Sequence, residues 1–127
     1  VSTYINVTND QSQAAKPWNN FIIPFMPYAG LAASNLKDDG DVNTGVTLTL
    51  SDAWSGVSAT GVRTRSGNEV YGEEVTRRAI YFTDNNAHNI TISGLNNARK
   101  YNFVFFNSHA QSESTLTNYT INGQTVG

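Results

Sequence analysis

The chain has 127 residues, enough for one domain, with only 14% charged residues and a formal net charge of −2. It has no cluster of lysine and arginine, which argues against nucleic acid as a partner, and no apolar stretch of roughly 20 residues that would insert into a membrane. Cysteine is absent, which excludes disulfides, thiolate nucleophiles and cysteine-ligated zinc. Its 16 Asn, 14 Thr and 11 Ser residues are typical of an extracellular β protein.

The first half of the chain predicts two strands separated by a long loop. A short strand is expected at residues 3–8, followed by a loop over residues 10–41 whose apolar residues pack against a sheet. The clearest strand covers residues 46–54, where Val46 and the two leucines that follow alternate with threonine. Trp54 shares the parity of these leucines and is predicted to be buried.

The second half predicts one helical turn and four strands. The turn covers residues 73–78, and a weak strand follows at residues 79–83. Apolar and polar residues alternate in residues 89–93 and again in residues 117–122. Residues 101–106 carry apolar side chains on both faces, which predicts a central strand. Six or seven short strands with polar turns predict an all-β fold, an antiparallel β-sandwich or jelly roll.

The end of the chain predicts a hairpin. Asn122-Gly123 is a strong signal for a two-residue turn. Because only residues 124–127 follow, we expect the return strand to pair incompletely and to leave an apolar sheet edge open. The prediction is therefore a single β-sandwich domain over residues 1–127 that lacks its C-terminal strands, either because the native chain continues or because another chain completes the sheet.

Eight short motifs follow one another in order along nearly the whole chain. They are Pro17-Trp18-Asn19-Asn20, Asn35-Leu36-Lys37-Asp38, Thr44-Gly45-Val46-Thr47-Leu48-Thr49-Leu50, Trp54-Ser55-Gly56, Val70-Tyr71-Gly72-Glu73-Glu74-Val75, Ile92-Ser93-Gly94-Leu95, Tyr101-Asn102-Phe103-Val104-Phe105-Phe106 and Tyr119-Thr120-Ile121-Asn122-Gly123-Gln124-Thr125-Val126. In this order they resemble the galactose-binding-like family of jelly-roll modules, found in secreted multidomain proteins of Bacteroidetes-like bacteria.

The resemblance implies a non-catalytic carbohydrate-binding or adhesive module within a larger secreted or cell-surface protein. Two departures from the family pattern stand out. Gly72 occupies a position where the family pattern favours proline. The family pattern also continues beyond the Gln-Thr-Val segment through strands that close the jelly roll, whereas this chain stops there.

Few side chains of this sequence are suited to act as a nucleophile, acid or base, and the chain is predicted not to be an enzyme. The only histidines are His88 and His109. Ser108 precedes His109, but adjacent residues point in different directions and make a poor nucleophile and base. The glutamates within residues 69–78 lie at helical spacing from two arginines, where ion pairs are the expected arrangement.

An acidic segment offers one candidate metal site. Asp39, Asp41 and Asn43 alternate oxygen ligands as a calcium loop does. The segment lacks the glycine and the bidentate glutamate of an EF-hand. A structural calcium ion and a solvated acidic turn without any cofactor are the two alternatives.

Sugar binding needs a flat aromatic face with amides or arginines beside it. The aromatic residues on loops or strand ends are Trp18, Tyr28, Trp54 and Tyr71. The glycine-containing loop before Tyr71 carries polar residues that could bond hydroxyl groups. The predicted ligand-binding residues are Trp18, Tyr71, Arg63, Arg65 and Asn68.

Two functions from different classes follow for a secreted or cell-surface protein. In the first, the chain is a carbohydrate-binding or adhesive module that retains a larger protein on a glycan or cell-surface polysaccharide. In the second, it is a structural module, a spacer or fibre subunit, completed by a strand from a homotypic or strand-complementing partner. An accessory domain fused to a hydrolase is a third alternative.

Overall fold

The computed structural model describes residues 1–9, 11–61, 71–108 and 116–127. These residues form short strands and a single helical turn, which confirms the all-β prediction. No described helix is long and apolar enough to cross a membrane. The elements are β1 (Tyr4–Thr8), β2 (Trp18–Ile22), β3 (Ala32–Ala33), β4 (Thr47–Leu50), β5 (Gly56–Ser58), α1 (Glu73–Thr76), β6 (Ala79–Tyr81), β7 (Ile90–Ser93), β8 (Tyr119–Ile121) and β9 (Gln124–Val126).

Four small sheets are present in the described part of the chain. The largest has the order β3-β4-β7, and both of its pairs are antiparallel. Antiparallel pairs also join β5 to β6 and β8 to β9, whereas β1 and β2 are parallel. The alternation predicted around residues 47–50 places apolar side chains inward, in a buried core made of Phe21, Ile23, Leu36, Leu48 and Leu50.

The predicted loop over residues 10–41 contains two strands, β2 and β3, so that prediction was wrong there. Strand β2 does not alternate in hydrophobicity because asparagines occupy both of its faces. Asn20 accepts a hydrogen bond from Ala14 N and donates one to Ala14 O, both at 2.9 Å. Its paired neighbour Asn6, only 1% exposed, donates to Asn20 Oδ1 at 2.9 Å. Asn20 thereby satisfies both backbone groups of Ala14, in the chain that connects the two parallel strands, and Asn6 holds the Asn20 amide in place.

The central strand predicted at residues 101–106 is not formed. Val104 is 82% exposed, so the segment lacks the two covered faces that a central strand requires. The segment nevertheless runs beside β8 in antiparallel order. Phe105 stacks on Tyr119 with ring centroids 4.3 Å apart, and Asn107 Nδ2 donates to Thr117 Oγ1 at 2.7 Å.

The predicted hairpin is confirmed. Asn122 and Gly123 have φ angles of 49° and 76°, which suit the two-residue type I′ turn. Strand β8 is shorter than the predicted strand over residues 117–122, and all three of its residues pair with β9, so the expectation of incomplete pairing was wrong. Among the described strands, none pairs with the other edge of β9.

Candidate functional site

A half-open groove of about 550 Å³ lies between the chain that leaves β1 and the chain that leaves β2. This volume is within the roughly 300–1,000 Å³ of small-molecule sites. Ile23, Leu31 and Val57 are buried or half-buried and form an apolar floor. Phe25 and Tyr28, which are 87% and 56% exposed, present aromatic rings at the rim.

The segment that carries these rings is held at both ends. Ile23 is in the core, and its N–H donates to Thr8 O at 2.7 Å. Gly30, with a φ angle of 89°, donates to Leu50 O at 2.8 Å, and Pro27 between the two anchors is buried. The exposed rings therefore project from an anchored backbone, which keeps the entropy cost of binding small.

Two side-chain amides line the same groove. Asn9 Oδ1 accepts from Gln11 N at 3.1 Å, and Gln11 Oε1 accepts from Arg78 Nη2 at 3.4 Å. Within the described residues, Asn9 Nδ2 and Gln11 Nε2 make no hydrogen bond. The groove thus combines aromatic rings with amide donors, the two kinds of group that bind sugars.

The structure brings together two of the predicted ligand-binding residues, but not as a flat face. Trp18 and Tyr71 meet at a centroid distance of 5.6 Å with their planes at 83°. Tyr4 and Phe106 extend this row at 5.3 and 5.1 Å. These tilted and edge-to-face contacts pack the rings against one another and leave no common plane for a sugar. The other predicted residues, Arg63, Arg65 and Asn68, lie outside the described residues.

The acidic turn is ion-paired. Asp41 binds Lys16 through Oδ2 and Lys37 through Oδ1, the latter at 3.0 Å. These ammonium groups hold the pKa of Asp41 below its ordinary value. Asp39 Oδ1 accepts from Ser2 N at 3.2 Å, and Asn43 forms an isolated bridge with Lys37. The ammonium groups of Lys16 and Lys37 thus pair with both carboxylate oxygens of Asp41. In the described ranges, no group of three or more His, Asp or Glu residues is placed to hold a metal.

One cluster, around His88, was missed from the sequence. Nδ1 of His88 contacts Asp52 Oδ2, and Nε2 lies 3.0 Å from Asp84 Oδ1. The ring stacks on Phe82 at 4.5 Å and contacts Trp54 at 5.3 Å. Asp84 lies four residues before His88 in the sequence, and this spacing could have indicated that the two side chains pair. The cluster ties the turn after β4 to the loop before β7.

Stability is expected to fall as pH rises through the titration of His88. The hydrogen bond to Asp84, followed by the contact with Asp52, raises the pKa of His88 above its ordinary value of 6.5. The stabilisation is therefore fully present below pH 6.5 and is lost as pH passes the higher folded pKa. Urea unfolding from pH 5 to 9 measures this loss. It should vanish in His88→Gln and persist in His109→Gln, and parallel profiles for wild type and His88→Gln would contradict the assignment.

Comparison of the chain with protein-family models, with curated proteins and with solved structures gives no significant match. The resemblance to galactose-binding-like modules therefore remains a prediction from sequence motifs. Evidence for function comes from the geometry of the groove.

Proposed function

We propose that this chain is a non-catalytic carbohydrate-binding module whose sugar site is the groove bordered by Phe25, Tyr28, Asn9 and Gln11. The observation that carries the proposal is the presence, around one apolar floor, of exposed aromatic rings and of amide donors that make no hydrogen bond within the described residues. A pyranose has an apolar face that packs on such rings, and its hydroxyl oxygens accept hydrogen bonds from amides.

The wider setting of the module is part of the same proposal. The sequence motifs support a galactose-binding-like jelly roll, whose second sheet would lie across the buried face of β4. The scarcity of charged residues and the abundance of Asn, Thr and Ser support a secreted or cell-surface protein that carries this module beside other domains. Retention of that larger protein on a glycan would be the module's contribution.

Glycan binding is tested with Phe25→Ala and Tyr28→Ala. We expect each substitution to weaken binding to the best ligand of a glycan array by about tenfold, since aromatic residues dominate such interfaces. Isothermal titration calorimetry gives the affinities. Met26→Ala is the matched control, because Met26 is 70% exposed but does not line the groove.

Tyr71→Ala separates the groove from the Trp18–Tyr71 row. Binding that survives Tyr71→Ala and weakens in Tyr28→Ala places the ligand in the groove. The reverse result would place it on the row and contradict the proposed site. An array without any bound glycan would contradict the function itself.

Assembly through a sheet edge is a second candidate, favoured by the exposed strand β9. In a two-residue hairpin, Gln124 pairs through hydrogen bonds beside the turn, so Thr125 directs its N–H and C=O to the open edge. If chains associate there, Thr125→Pro should abolish self-association in sedimentation velocity, whereas Thr125→Val should preserve it. A monomeric wild type at all concentrations would exclude this candidate.

A further inference from the structure

Hydrogen-bond partners fix the orientation of the side-chain amides of Asn9 and Gln11 in the groove. Arginine is only a donor, so the atom of Gln11 that faces Arg78 must be Oε1. The backbone N–H of Gln11 is also only a donor, so the atom of Asn9 that it meets must be Oδ1. Each amide oxygen already accepts one hydrogen bond from the chain, and no hydrogen bond within the described residues uses either NH₂ group. The side-chain amides of the groove therefore present donors.

The floor beneath these donors is apolar and uncharged. None of the lining residues in the described part of the chain carries a charged side chain, and Ile23 at the base is only 2% exposed. Leu31 and Val57 complete the floor. A ligand group suited to this surface would combine a strong neutral acceptor with a small apolar end.

We propose that the groove is selective for the acetamido group of an N-acetylhexosamine, a substrate class that rests on the glycan-binding function proposed above. The acetamido carbonyl accepts from Gln11 Nε2 and Asn9 Nδ2. Its methyl group contacts the floor at Ile23, and the sugar ring packs against the rings of Tyr28 and Phe25. Arg78 acts as a positioning residue, because its bond to Gln11 turns the amide donor toward the ligand.

Other substituents on a hexose fit this site less well. A hydroxyl group at the same carbon lacks a methyl group to cover the floor. A carboxylate would lose hydration against the apolar floor, and the nearest described cation, Arg78, is already bonded to Gln11. A protonated amine is only a donor and would face the donors of Asn9 and Gln11.

Matched pairs of sugars that differ only at carbon 2 test the selectivity. The pairs are methyl glycosides of N-acetylglucosamine and glucose, of N-acetylgalactosamine and galactose, and of N-acetylmannosamine and mannose. We expect calorimetry to show the N-acetyl member of the preferred pair binding about tenfold more tightly than its parent sugar. The corresponding 2-amino sugar should bind more weakly than both.

Gln11→Glu tests the assigned donor. The substitution keeps the shape and the bond to Arg78 but removes the NH₂ group. We expect the preference for the N-acetyl member to disappear while the affinity for the parent sugar stays within about threefold. Gln13→Glu is the control. It adds the same negative charge to the segment between β1 and β2, but at an exposed residue that does not line the groove.

The possible outcomes separate the two proposals. Equal affinity for both members of every pair that binds overturns the acetamido selectivity and leaves glycan binding in place. A preference that persists in Gln11→Glu overturns the role of Gln11 as the donor. No binding by any sugar of the pairs or of the wider glycan array overturns both the selectivity and the function on which it rests.

Discussion

Gly94→Ala is expected to lower the free energy of unfolding by more than about 3 kcal/mol. Gly94 has a φ angle of 80°, and a Cβ atom there would lie 2.2 Å from Gly45 O and 3.0 Å from Gly45 C. Gly45 lies two residues before β4, which pairs with β7, so a shift of its backbone would disturb the central sheet. Both strain and a backbone clash therefore oppose the substitution.

Gly123→Ala isolates the strain from the clash. Gly123 has a similar φ angle, 76°, but its Cβ would meet nothing within 4 Å. The expected cost is about 1 kcal/mol, the usual penalty for an L residue in the left-handed region. Urea unfolding followed by circular dichroism measures both variants, and similar costs for the two would contradict the close approach of Gly94 to Gly45.

Phe21→Ala is expected to lower the free energy of unfolding by about 3–5 kcal/mol. Phe21 is one of the largest fully buried side chains and contributes to the core beneath β4. Its removal loses the transfer free energy of the ring and leaves a cavity. Met26→Ala is the control, because this exposed side chain should change stability by less than about 0.5 kcal/mol. Equal effects of the two substitutions would contradict the burial of Phe21.

The sequence predicted those elements whose signal is local. Alternation located β4 and β7, and the Asn122-Gly123 pair located the final hairpin with its positive φ angles. The sequence did not predict β2, because its residues do not alternate between apolar and polar. Asn20 instead bonds the backbone of Ala14 in the chain that connects β1 to β2. The sequence also assigned a strand to residues 101–106, where side-chain composition alone could not reveal that one face has no cover.

The candidate site was less accessible from the sequence. Tyr28 was placed among the aromatic residues on loops or strand ends but not among the predicted ligand-binding residues, and its partners in the groove come from distant parts of the chain. Gln11 reaches the groove because the chain crosses between parallel strands, and Val57 reaches it from β5. Periodicity describes neighbours along a strand and contains no information on such crossings. Trp18 and Tyr71, both predicted to bind a ligand, are in contact, but their nearly perpendicular planes do not form a platform.

The partly exposed aromatic segment at residues 103–106 affects how the stability measurements should be made. Its rings and Val104 are accessible in the folded chain, and dyes that fluoresce on apolar surfaces bind such patches. A dye-based thermal melt would begin at a high signal and record little change on unfolding. Fluorescence of the half-buried residues Trp18 and Trp54 gives a reporter that does not depend on that surface.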